Sequence, residues 1–205
     1  MKNYGIISAY GLQKNLIASN RIYGLYSQLK RRNNVKLFLP KLKLENDNIN
    51  PFATNDIYFF NTHKCWFFNY IRKKHKRNFR EKSDFFRSDD IPKKGNLVQL
   101  LSILWQNNFI GYNRILNLDD QNIVKLNFDF NFPHLRDLDI LITSAGPAIM
   151  NYFGHKIKKK NPNIFWVADY RDLNQNNPYK SDKFNFKGKK MDKLVFKYAD
   201  LITTV

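Results

Sequence analysis

Apolar residues along this chain alternate between two rhythms. Tyr4-Gly5-Ile6-Ile7-Ser8 is an apolar run of strand length, and a loop follows it. From about Ala18 to Arg32, the positions Ile22, Leu25, Tyr26 and Leu29 recur at helical spacing, which predicts an amphipathic helix with one buried face. Ser19 or Asn20 is placed to cap it. Val35-Lys36-Leu37-Phe38-Leu39 reads as the next strand, stopped by Pro40. A strand, a helix and a strand in that order form a β-α-β unit, and its crossover implies parallel pairing.

The middle of the chain is less regular. Residues 41–55 read as loop and Ile57-Tyr58-Phe59-Phe60 as a third strand. The aromatic cluster Trp66-Phe67-Phe68-Asn69-Tyr70-Ile71 then runs into the basic Arg72-Lys73-Lys74-His75-Lys76-Arg77. Ser83 to Lys94 reads as a mobile loop, within a basic insertion over about 62–95, and Asn96 to Asn107 as a helix. The Phe128, Phe130 and Phe132 alternation suggests a strand.

Regularity returns in the last third. Asp139-Ile140-Leu141-Ile142-Thr143 is a strand whose continuous apolar run fits cover on both faces. Gly146-Pro147 opens a helix with the stripe Ala148, Ile149, Tyr152, Phe153 and Ile157, and lysines follow where the helix dipole favours cations. Ile164 to Ala168 is another strand, Lys187 to Tyr198 a helix, and Leu201 to Val205 a last strand. Alternating strands and helices of this kind predict a doubly wound, mostly parallel α/β sheet over 1–205. Ligands bind such sheets outside the carboxyl ends of the strands. The exits to examine are Ser8–Ser19, Asn61–Lys64, Ser144–Pro147 and Asp169–Tyr179.

Composition narrows the partners. The chain has 205 residues, 43% of them hydrophobic and 16% aromatic, so it can bury a core and is not a disordered segment. Its net charge of +18 calls for something acidic: nucleic acid, an anionic membrane face or phosphorylated substrates. The charge is local. Residues 62–82 hold eight bases against Glu81, residues 151–160 hold four lysines, and residues 180–197 hold seven lysines against Asp182 and Asp192. A single cysteine, Cys65, excludes a disulfide framework and fits a reducing cytoplasm. No apolar run is long enough to span a bilayer, and Gly5, Ser8 and Gly11 break the one stretch that resembles a signal peptide.

Several chemistries find no support. The loop Ala9-Tyr10-Gly11-Leu12-Gln13-Lys14-Asn15 is not a dinucleotide fingerprint, and neither a phosphate-binding P-loop nor a nucleophile elbow is present. The four histidines lack metal-ligand spacing, so no metal is expected. What remains is the exit Asp169-Tyr170-Arg171-Asp172, where two carboxylates and a guanidinium could position the hydroxyls of a polar ligand, or where Arg171 simply pairs with one Asp to hold the loop. Ser144-Ala145-Gly146-Pro147 could receive an anion at a helix start, or be a tight turn. Segment 65–77 suits an anionic membrane surface, with Trp66, Phe67 and Phe68 in the interface and Arg72, Lys73 and Lys74 at the headgroups. It also suits nucleic-acid stacking, or a partly buried helix with a solvated basic face.

Four pieces in order resemble one family. They are Asp139 to Pro147, then Trp166-Val167-Ala168-Asp169-Tyr170-Arg171-Asp172, then Asn177-Pro178-Tyr179, then Tyr198-Ala199-Asp200-Leu201-Ile202-Thr203-Thr204-Val205. Together with Ala18 to Leu25, they look like the N-terminal domain of glycosyltransferase family 4. The resemblance covers about 1–40 and 137–205. It implies that this Rossmann-like sheet is the acceptor-side half of a GT-B architecture, with the donor-binding half beyond it, so the chain alone is expected to be inactive. It further implies a retaining, metal-independent hexosyltransferase without cofactor. Such an enzyme uses a nucleotide-sugar and a glycan or lipid-linked acceptor in cell-surface polysaccharide synthesis, peripheral to the inner face of the cell membrane, with no nucleic-acid partner. Asp169, Arg171 and Asp172 match the family's cleft motif, and Gly146 and Pro147 match the turn facing it, with Ser144 just before them as a further substrate-binding candidate. Two departures stand out: Leu173-Asn174 replaces the family's Pro-Trp, and Gln13-Lys14-Asn15-Leu16 replaces its Gly-Gly loop, leaving Lys14 as the substitute toward donor phosphate. Against this stands a rival class, a non-catalytic basic α/β module that docks on membrane or nucleic acid.

Overall fold

The computed structural model describes residues 1–14, 16–42, 49–66, 69–70, 114–116, 123–144, 149–170 and 186–204. Its strands are β1 (Asn3–Ile7), β2 (Asn34–Pro40), β3 (Ile57–Lys64), β4 (Arg114–Leu116), β5 (Ile123–Asn127), β6 (Ile140–Ser144), β7 (Phe165–Tyr170) and β8 (Leu201–Thr204). Its helices are α1 (Ile17–Lys30), α2 (Ile149–Lys160) and α3 (Phe186–Tyr198), with short 3-10 turns at Thr54–Asp56 and Pro133–Leu135.

One eight-stranded sheet carries them in the order β4-β5-β3-β2-β1-β6-β7-β8. β3, β2, β1, β6, β7 and β8 run parallel, while β5 and β4 add an antiparallel edge. The fold is α/β and mostly parallel, and its strand order is compatible with a Rossmann-like doubly wound sheet. The order reverses between β1 and β6, since β1 is followed outward by β2 on one side and by β6 on the other.

Strand alternation sorts the core into two layers. Ile6, Val35, Leu37, Leu39 and Ile142 meet Ile22 and Tyr26 of α1 on one face. Ile7, Phe38, Leu141, Trp166 and Ala168 meet Ile149, Met150, Phe153 and Ile157 of α2 and Met191 and Val195 of α3 on the other. Burying each large apolar side chain contributes roughly 1.5–3 kcal/mol, so the 3.6-residue stripes are what seat the helices.

Several sequence expectations need correction. α1 begins at Ile17 with Leu16 as its N-cap, and no side chain caps it; Ser19 is instead fully buried inside its first turn, so neither Ser19 nor Asn20 serves as the cap. The strands in the 108–133 region are β4 and β5, the latter ending at Asn127, and not the Phe128, Phe130 and Phe132 alternation. That alternation is a turn, in which Asn131 N–H donates to Asp129 Oδ1 (2.8 Å) and the three rings cluster against Phe38, Phe60 and Phe153. β7 runs through Asp169 and Tyr170, which are strand residues and not loop. The expected loop 83–94 and the expected helix 96–107 lie outside the described residues.

Two local contacts carry measurable consequences. A Cβ on Gly154 of α2 would meet Trp166 Nε1 at 2.5 Å and Thr143 Cγ2 at 2.7 Å. Gly154→Ala gains roughly 1 kcal/mol of helix propensity but overpacks a close-packed layer, at a typical cost of about 1–3 kcal/mol. A lower melting temperature is expected; an increase would mean that α2 slides freely over β6 and β7. In the other layer, the Tyr26 hydroxyl donates to Asp56 Oδ2 at 2.6 Å, beside Lys30 Nζ at 2.6 Å. Burial, then the bond to Asp56, pushes the Tyr26 phenol up to about 12. Because a free phenol ionises near about 10, this contribution is full below that pH and is lost as pH rises from there to about 12. Denaturant titrations across that window are expected to fall more steeply for the wild type than for Tyr26→Phe, and equal slopes would remove the contact from the account.

Candidate functional site

Four parallel strands end side by side at the point where the sheet reverses its order. Register pairs Ser144 of β6 with Asp169 of β7, and Asp169 with Thr203 of β8. Ile7 pairs with Thr143, so Ser8 and Ser144 stand one step further along. By alternation, Ser8, Ser144, Asp169 and Thr203 share the face covered by α1. Ser8, Ser144 and Asp169 are all buried.

Asp169 is the centre of this row. Its Oδ1 accepts Arg21 Nη2 of α1 at 2.5 Å and the Thr203 hydroxyl at 2.8 Å. The carboxylate is therefore fixed through one oxygen, and its other oxygen, Oδ2, is buried without a partner among the described residues, in a side chain only 6% exposed. Arg21 sits near the amino-terminal end of α1, where the helix dipole disfavours a base, and the first turn carries no acid. Asp169 supplies the missing negative charge.

Two more unpartnered polar atoms stand at the same edge. Ser19 Oγ lies in the first turn of α1, which leaves β1 there, and Asn151 Nδ2 lies in the first turn of α2, which leaves β6 there. Both residues are 0% exposed. Asn151 is held from its other end: the Trp166 indole N–H donates to Thr143 Oγ1 (2.9 Å), and the Thr143 hydroxyl donates to Asn151 Oδ1 (2.7 Å). Since buried polar groups are nearly always paired, Asp169 Oδ2 and Ser19 Oγ on the α1 face mark where hydrogen-bonding capacity has been kept, while Asn151 Nδ2 is spare on the opposite, α2 face.

The loop from β1 to α1 is closely held. A Cβ on Gly11 would lie 2.8 Å from Leu39 Cδ2, so glycine lets the chain pass over β2. Asn50 N–H donates to Leu12 O, Asn50 Nδ2 donates to Gly11 O, and Gln13 bridges Ile49. Lys14 is exposed just beyond, with no partner among the described residues, and no hydrogen bond or ion pair joins it to Asp169.

The sequence-derived candidates divide as follows. The structure brings Asp169 and Ser144 into one row and places Lys14 on the loop at the same edge. Arg171, Asp172, Gly146 and Pro147 lie outside the described residues, as do Phe67, Phe68, Arg72, Lys73 and Lys74. Trp66 is 77% exposed and stacks on Tyr70, centroids 6.1 Å apart. Arg21 and Thr203 were missed as site residues, although a base near the start of a helix with no acid in its first turn is a readable signal for an anionic partner. Asp200, part of the resembling motif, serves the fold: it accepts Lys158 Nζ and Trp166 N–H, both at 2.7 Å. Burial raises its carboxyl, and these two bonds outweigh that and hold it below the usual range.

Two open depressions, of about 520 and 660 Å³, lie at the opposite, amino-terminal edge around Arg136, Lys160 and Asn161, and around Asp137, Asp139 and Asn163. They are far from the Asp169 row, and their acids are exposed surface residues. No helix among the described residues is long and apolar enough to cross a membrane. No protein-family model and no curated protein matches the chain.

Proposed function

We propose that this chain is the acceptor-side domain of a glycosyltransferase resembling family 4, built as one half of a GT-B enzyme. The observation that carries the reading is Asp169, a buried carboxylate clamped through Oδ1 by Arg21 and Thr203, with Oδ2 spare at the switch point of a doubly wound sheet. Such a carboxylate accepts a hydrogen bond from a sugar hydroxyl and fixes its direction. Ser144 beside it adds a second hydroxyl. Lys14, Gly146 and Pro147, with Arg171 and Asp172, complete the cleft by resemblance.

In the proposed reaction, the acceptor oxygen bonds to the anomeric carbon of a nucleotide-sugar as the bond to the leaving phosphate breaks. The proton of the acceptor hydroxyl leaves with that phosphate. Asp169 positions the acceptor oxygen; a second domain holds the nucleotide. The proposed acceptor is a glycan or a lipid-linked saccharide of cell-surface polysaccharide synthesis, met at the inner face of the membrane, where Trp66 to Lys74 would touch lipid. Titrating the chain with soluble oligosaccharides and short-chain lipid-linked saccharides, by saturation-transfer NMR, is expected to show binding. No saccharide binding would remove the reading and leave the rival basic docking module, which gives the Asp169 row no role.

A further inference from the structure

Helices α2 and α3 pack side by side on one layer of the sheet, and among the described residues their exposed positions carry lysines and no acid. α2 ends in Lys156, Lys158, Lys159 and Lys160, and α3 holds Lys190, Lys193 and Lys197. Among the described residues, the acids on and beside these helices are already engaged. Asp192 of α3 is 0% exposed and accepts the Tyr170 hydroxyl, and Asp200 holds Lys158. Lys190, Lys193 and Lys197 are all exposed and recur on one helical face, and Lys159 is exposed on α2. At the seam, the His155 ring lies 4.9 Å from Tyr198. Phe196 (53% exposed) and Tyr198 (40% exposed) stand among these charges.

We infer that this α2–α3 face docks on an anionic lipid bilayer. The occupant follows from charge and shape. Bases near an anionic leaflet are attracted individually, and aromatic rings at the rim of the patch enter the interface. Apart from His155, every basic residue on the two helices is lysine and none is arginine. Lysine is a point charge that suits a fluid headgroup layer, whereas nucleic-acid surfaces favour the planar, bidentate guanidinium. The inference is independent of sugar transfer and concerns a face other than the Trp66 segment.

The test is co-sedimentation of the whole chain with phosphatidylcholine vesicles, with and without a third of phosphatidylglycerol. Binding is expected only to the anionic vesicles, and is expected to weaken as salt shortens the screening length from about 10 Å to about 3 Å. Lys190→Gln with Lys193→Gln, both on exposed sites, is expected to cut partitioning by roughly thirtyfold with an unchanged melting temperature. Equal binding to neutral vesicles, full binding by the double variant, or tighter binding to a DNA duplex than to vesicles would each overturn the assignment.

Discussion

Trp166→Ala is expected to cost roughly 3–5 kcal/mol, the usual range for deleting a fully buried aromatic side chain. In a chain of this size, that lowers the melting temperature by about 10 °C. Trp166 is 0% exposed and lies between β6, β8 and α2, so the cavity has neighbours on every side. The indole also anchors a polar chain. Its N–H donates to Thr143, whose hydroxyl donates to Asn151, and Gly154 leaves the space that brings α2 this close. Trp166→Phe keeps most of the volume and removes only the donor, so its expected cost is smaller, about 1–2 kcal/mol. Thermal melts of the two variants separate packing from hydrogen bonding. Equal losses would mean that the N–H carries the whole effect.

The second large effect lies at Asp169 and has an asymmetry that a merely structural ion pair would not explain. Arg21→Ala strands a carboxylate whose side chain is 6% exposed, and breaking a buried pair this way costs roughly 3–5 kcal/mol. Asp169→Asn strands a guanidinium that is 32% exposed and can be solvated, so its cost is discounted to about 1–2 kcal/mol. Stability should therefore suffer more from losing the arginine. Saccharide binding should suffer more from losing the carboxylate, because the spare Oδ2 is then replaced by a donor or left without charge. Denaturant melts give the first order and ligand titration the second. Finding both orders the same would reduce Asp169 to a structural partner of α1.

Much of the architecture is legible in residue patterns. The stripe Ile22, Leu25, Tyr26 and Leu29 gives α1 its inner face, and the apolar runs at 140–143 and 164–168 are the buried strands β6 and β7. Local spacing does not reveal pairing between distant segments. The antiparallel β4–β5 edge is set by contact with the outer half of β3, and the Phe128 to Phe132 alternation mimics a strand because a turn happens to present every second ring to one cluster. Helix caps mislead for a similar reason: Ser19 has the chemistry of a cap, but the register of Ala18 and Ile22 carries it inside. At the site, Asp169 is legible from its place after an apolar strand. Arg21 is legible only as a base in want of an anionic partner, and Thr203 not at all, because their pairing with Asp169, 148 and 34 residues away in sequence, exists only once α1 and β8 are folded against β7.

The most direct test of the central claim is saccharide titration of the wild type and Asp169→Asn side by side, with circular dichroism confirming that both are folded. The wild type is expected to bind an oligosaccharide or lipid-linked saccharide, and the variant to bind at least about tenfold more weakly, the loss expected for one charge-assisted hydrogen bond. Unchanged affinity in the folded variant would contradict it.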